Sequence, residues 1–139
     1  MRVALFSTCI GDAMFPDVVK ATAVILSRLG YDVVFPPEQS CCGQMHVNTG
    51  YQREAIPQIR NYVDAFSDPS IDYVVAPSGS CTGAARHEQK VVAEHVGDEH
   101  LAKQSQRIAE HTYDLTELIT DVLGLEDVGA YFPHTVTYH

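Results

Sequence analysis

Near-continuous apolar runs at Arg2 to Thr8, Tyr31 to Phe35 and Ile71 to Ala76 alternate with stretches in which apolar residues recur every three or four positions. Runs of the first kind are the pattern of strands buried on both faces, and recurrence of the second kind is that of helices with one face turned to a core. Val19, Ala23, Leu26 and Leu29 predict a helix beginning at Pro16, which suits a first turn, and closed by Gly30 just past its end. Ile56, Ile59, Val63 and Phe66 predict a second helix, with Pro57 in its first turn or kinking it. The small-residue turn Pro77 to Gly83 leads into a helix carrying Ala84, Ala85, Glu88, Val91, Val92 and Val96, and a further helix covers Glu99 to His111. Asp114-Leu115-Thr116-Glu117 has capping-box spacing and opens a last helix that ends before Gly124. Ala130 to His139 reads as extended, Val136 and Tyr138 alternating with Thr135, Thr137 and His139. That segment is either an ordinary edge strand or the start of a second half.

Strand, small-residue loop and helix thus occur three times, which argues for parallel βαβ units with right-handed crossovers. The expected fold is α/β, a three-layer Rossmann-like parallel sheet with helices on both faces. A chain of 139 residues is one domain, large enough for a hydrophobic core without disulfide staples.

Charge narrows the function. Lys and Arg total 9 against 18 Asp and Glu, a net charge of -9, with no basic cluster to serve as a nucleic-acid footprint. No apolar run approaches the length of a membrane span, and the first residues form a strand pattern in place of a signal peptide, so a cytoplasmic location is expected.

In a reducing compartment, four cysteines point to metal or redox chemistry before structural disulfides. Cys9, the adjacent pair Cys41-Cys42 and Cys81 each follow one of the apolar runs, so in an open parallel sheet all would lie at the carboxyl edge where ligands bind. Strands lie about 4.8 Å apart, close enough for three loops to converge on one site. Gly11, Gly43, Gly79 and Gly83 would allow close backbone approach. Adjacent cysteines suit a single tetrahedral zinc ion poorly, but can ligate different irons of a cluster. A Cys41-Cys42 thiol redox pair, a zinc site and inert buried cysteines remain open on spacing alone; a structural bond between the adjacent residues would be strained.

The arrangement Cys9, Cys41-Cys42-Gly43 and Pro77-Ser78-Gly79-Ser80-Cys81 resembles the cysteine-rich CCG domain of heterodisulfide reductases, of glycolate oxidase iron-sulfur subunits and of lactate-utilization iron-sulfur subunits. Phe6-Ser7-Thr8-Cys9, Phe15-Pro16, Gln44, Asn48-Thr49-Gly50-Tyr51 and Tyr113 to Glu117 are most similar to the last of these. The resemblance implies an iron-sulfur electron-transfer subunit of a cytoplasmic complex oxidising L-lactate to pyruvate, or glycolate. It implies Cys9, Cys41, Cys42 and Cys81 as ligands of a cluster, a 4Fe-4S cluster for four thiolates, with Gly43 and Ser78 beside it. Ser78 stands where the fullest form of the motif has a further cysteine, which sets the noncubane cluster of the heterodisulfide reductase type apart from this chain. Family members carry a second CCG domain, so residues 1–139 would be the N-terminal half of a longer protein whose partners are that half and sister iron-sulfur subunits.

Other polar residues read more plainly. His46, four residues after Cys42, is either a sulfur partner or a surface group; His87 is a weaker candidate on the helix after Cys81. Asp12 and Glu38 bracket the expected site and read as turn or cap residues, because negative charge would oppose thiolate formation.

Overall fold

The computed structural model describes residues 1–137. Four parallel strands, β1 (Arg2–Leu5), β2 (Asp32–Val34), β3 (Tyr73–Ala76) and β4 (Thr112–Asp114), form one sheet in the order β2-β1-β3-β4. Register is fixed by pairs such as Ala4 with Val34, Ala4 with Val74 and Val75 with Tyr113. The two central strands are the most apolar because both their faces are covered.

Helices α1 (Cys9–Met14) and α2 (Pro16–Arg28) follow β1; α3 (Gln44–Asn48) and α4 (Gln52–Phe66) follow β2. After β3 comes a continuous helical run made of α5 (Gly79–Gly83), a π-turn at Ala84–Glu88 and α6 (Gln89–His95). Then come α7 (Glu99–Ala109) and, after β4, α8 (Leu115–Glu117), which continues as a π-turn over Leu118–Val122.

One face of the sheet packs Ala4, Phe6, Val74 and Ala76 against Ile59, Tyr62, Val63, Val92 and Leu101 of the helices. Phe6, Tyr62 and Phe66 form an aromatic cluster with centroids 4.7 to 5.5 Å apart. The other face buries Val3 and Val75 under Leu26 and Leu118. Helices on both faces of a parallel sheet give the layered α/β fold expected. No helix among the described residues is long and apolar enough to cross a membrane.

Several boundaries differ from the sequence expectation. β1 ends at Leu5, and the turn expected at Cys9 to Asp12 is already helix. Pro57 lies inside α4, which starts five residues earlier at Gln52. β4 was not expected; its three residues lie where polar Thr112 and Asp114 mask the strand pattern. The capping box at Asp114 is present, Glu117 Oε2 accepting from the Asp114 amide at 3.0 Å. Residues 130–137 form no strand and are exposed, so the extended segment expected over Ala130 to His139 is not found there; Tyr138 and His139 lie outside the described residues. With β2 and β4 already at the sheet edges, the segment pairs with neither.

Candidate metal centre

Strand order sets the site. The chain leaves β1 toward β2 on one side, then crosses to β3 on the other, so the direction of winding reverses between β1 and β3. Adjacent loops part at such a point and open a crevice outside the carboxyl ends of the strands. Cys9 is the first residue of α1 after β1, and Cys81 lies in the first turn of α5 after β3, so the two flank that crevice. Cys41 and Cys42 arrive from the β2–α3 loop. All four cysteines line one open pocket of about 320 Å³.

Glutamine amides hold the β2–α3 loop in place. Gln39 accepts from the Ser7 amide at 2.8 Å and donates to the Leu5 carbonyl at 3.0 Å, acting as a short extra rung beside the end of β1. Gln44 Nε2 donates to the Ser80 carbonyl at 3.2 Å, joining α3 to α5. Gln89, fully buried, donates from Nε2 to the Cys42 carbonyl at 3.1 Å. The π-turn before Gln89 adds one residue to the helix and so rotates everything after it by roughly 100°. Sequence reasoning passed over Gln39 and Gln89 because an isolated glutamine carries no periodicity or motif signal. Gly43, at φ +88, makes the left-handed turn between the cysteine pair and α3 that a glycine accepts without strain.

The four thiols are free. Cys9 Sγ lies 3.7 Å from Cys41 Sγ, and the Gly43 amide donates to Cys41 Sγ at 3.4 Å. Interaction with Cys42 lowers the Cys81 thiol to about 6 against the opposing effect of burial, with smaller help from the hydroxyls of Ser78, Ser80 and Thr8. The same interaction, together with burial, pushes Cys42 up. Burial first and then Cys41 raise Cys9. In metal-free protein, alkylation by iodoacetamide should therefore mark Cys81 first, its rate rising through about pH 6 and not through the usual thiol range near 8.5. Mass spectrometry of the modified peptide at pH 7 checks this; a first label on Cys42 would contradict the assignment.

Thr8 is the one described non-glycine residue at positive φ, with φ 64° and ψ 152°. That region belongs to glycine, and a side chain held there costs about 1–3 kcal/mol. Its hydroxyl caps α1 by accepting from the Gly11 amide at 3.1 Å. A Cβ on Gly11 would fall 2.9 Å from that hydroxyl, which is why a residue without one follows. In urea denaturation Thr8→Gly should be more stable than Thr8→Ala by about 1 kcal/mol, since both lose the cap and only alanine keeps the strain. Equal stabilities would remove the strain.

The remaining sequence candidates fall outside the pocket. Asp12 and Glu38 are exposed and do not line it. His87 is exposed on the π-turn. His46 is half-buried with an unpartnered Nδ1, but it too is absent from the lining. The lining holds no Asp, Glu or His; its ligating groups are thiols, with Ser78 at the mouth of α5. A soft, thiol-only donor set suits iron-sulfur clusters, zinc or copper(I) and suits hard cations poorly. Among the described residues, no three His, Cys, Asp or Glu close on a point as a single ion requires.

Comparison with known proteins agrees with the cysteine arrangement. The CCG family, described as a cysteine-rich domain, matches residues 3–86, which include all four cysteines. The chain belongs to the CCG cysteine-rich domain family. It is 44% identical over 139 residues to Lactate utilization protein A of Bacillus pumilus, covering 100% of this chain and 56% of that protein. The corresponding proteins of Geobacillus thermodenitrificans and Bacillus subtilis are each 41% identical over 139 residues, again 100% of this chain and 56% of theirs. The chain thus spans about half the length of the curated relatives it matches. No solved structure matches it.

Proposed function

We propose that this CCG domain is the N-terminal half of an iron-sulfur electron-transfer protein serving the oxidation of L-lactate to pyruvate. The observation that carries the reading is the convergence of four thiols, and of no other ligating group, on one pocket at the winding reversal of the sheet. Cys9, Cys41, Cys42 and Cys81 would be the ligands of the cluster, a 4Fe-4S cluster on the count of thiolates, which would supply one-electron chemistry at this edge. The chain's own residues do the rest: the glutamine amides fix the thiol positions, Ser78 and Ser80 stabilise negative charge on Cys81, and Ile10, Phe15 and Met45 make the rim apolar. An apolar rim lowers the local dielectric and so strengthens each of these interactions. Lactate is favoured over glycolate by the names of the relatives. Electrons would pass to a second cysteine-rich half and to sister iron-sulfur subunits in the cytoplasm.

The test is genetic. Deletion of the gene should abolish growth on L-lactate as sole carbon source, and the full-length gene should restore it while a Cys81→Ser copy should not. Normal growth of the deletion strain would overturn the lactate role. A second reading, reversible thiol-disulfide chemistry, is favoured by the 3.7 Å separation of Cys9 and Cys41; it requires metal-free protein with a Cys9–Cys41 bond under oxidation.

A further inference from the structure

A single peptide group links a buried side chain to a thiol. Gln89 Nε2 donates to the Cys42 carbonyl at 3.1 Å, and the amide of Gly43, the other end of that same peptide, donates to Cys41 Sγ at 3.4 Å. Hydrogen bonds joined through a peptide polarise one another, so a donor on the carbonyl makes the N–H a better donor to sulfur. Gln89 is 1% exposed, and its Oε1 has no protein partner among the described residues. An unpaired buried amide oxygen costs about 1–3 kcal/mol, which a leucine on the same helix face as Ala85, Val92 and Ala93 would avoid. The helix also departs from α geometry to present this side chain: the Gln89 amide bonds back to the Ala84 carbonyl, five residues earlier, and closes the π-turn. Gly43 supplies the reason an anchor is needed. At φ +88 it occupies a region that glycine enters as readily as the one at negative φ, so the Cys42–Gly43 peptide is free to flip over. A flipped peptide would turn its N–H away from Cys41 and its carbonyl toward it. Space does not call for glycine here, since a Cβ would meet nothing nearer than the Ala55 carbonyl oxygen at 3.6 Å.

We propose that Gln89 is a positioning residue for the cluster: through the Cys42–Gly43 peptide it holds and strengthens the Gly43 N–H bond to Cys41 Sγ, and so raises the cluster's reduction potential. The inference rests on the iron-sulfur reading above. The reduced cluster, one electron richer, puts more negative charge on its ligand sulfurs, and a donor to such a sulfur stabilises that state more than the oxidised one. Gln89 acts from the core side, its own bond going to a carbonyl and not to a sulfur.

The experiment uses the full-length protein as the natural sequence, as Gln89→Met, similar in length but without the amide, and as Gln89→Leu. In metal-free protein, hydrogen-deuterium exchange followed by mass spectrometry reads the peptide that contains Gly43. After anaerobic reconstitution, iron and sulfide are counted; the midpoint potential then comes from a titration followed by electron paramagnetic resonance, and exchangeable-proton couplings from electron-nuclear double resonance in H2O and D2O. Both variants should exchange faster at Gly43 and, at full cluster content, show a lower potential and a weakened or lost exchangeable-proton coupling. A role in packing alone would alter exchange or stability and leave potential and couplings at their natural values; that result would overturn the inference and leave the iron-sulfur reading standing. Unchanged exchange at Gly43 would overturn it as well. Failure of both variants to take up iron while the natural protein does would confine Gln89 to building the site and overturn its effect on the potential. Natural protein without iron would overturn both readings, so the two failures are distinct.

Discussion

Replacing Cys42 by alanine should abolish cluster binding and leave the fold in place. Cys42 is 3% exposed and packs in the larger core among Ala55, Ile59 and Ala85, so it acts there as a small apolar side chain. Loss of one buried sulfur should cost on the order of 1 kcal/mol, small against the usual 5–15 kcal/mol of a domain. A cluster deprived of one of its thiolates has no carboxylate or histidine in the pocket lining to take its place. After anaerobic reconstitution the expected iron content falls from about four per chain to under about one, with the circular dichroism spectrum unchanged. Alanine is the better probe at this position, because serine would put an unpaired hydroxyl in the core at about 1–3 kcal/mol. Full iron in Cys42→Ala would remove this residue from the ligand set.

Phe6→Ala should have the largest effect on stability. Phe6 follows β1, donates its amide to the Val75 carbonyl at 2.9 Å, and is fully buried with its ring edge-to-face against Tyr62 and Phe66. A buried phenylalanine truncated to alanine loses about 3–5 kcal/mol, and the aromatic pairs place this site toward the upper end. In urea the midpoint should fall by roughly 2 M. Because Phe6 and Cys42 share one core, the substitution should also speed alkylation of Cys42, which no surface change would do. A loss under about 1 kcal/mol would mean that this aromatic cluster does not anchor the carboxyl end of the sheet.

Which parts of the molecule could be read from the sequence follows from how local each signal is. β1 and β3 are unbroken apolar runs because both faces of each strand are covered, and α2, α4 and α7 show the helical period because each packs one face on the sheet. The cysteines could be read for the same reason: each follows an apolar run that becomes a strand, and parallel strands bring such loops to one edge. Other features depend on contacts between residues far apart in the chain. Gln39 matters only because β1 and β2 lie side by side, which brings its amide to Ser7 and Leu5. Gln89 matters only because a π-turn rotates it toward Cys42. β4 contributes three residues to the sheet, too few for an alternation to show. α1 contains Gly11 and Asp12, both poor helix formers, and is held by the Thr8 cap and not by propensity. The alternation of Val136 with its polar neighbours resembles a strand, but residues 130–137 pair with neither edge of the sheet, and Tyr131 and Phe132 stand largely in solvent.

The most direct measurement is the iron and acid-labile sulfide content of the anaerobically reconstituted natural protein, with its electron paramagnetic resonance spectrum. About four irons and four sulfides per cysteine-rich domain, with a cluster signal on reduction, is the expected result. Stoichiometric zinc, or no metal with four free thiols, would contradict it.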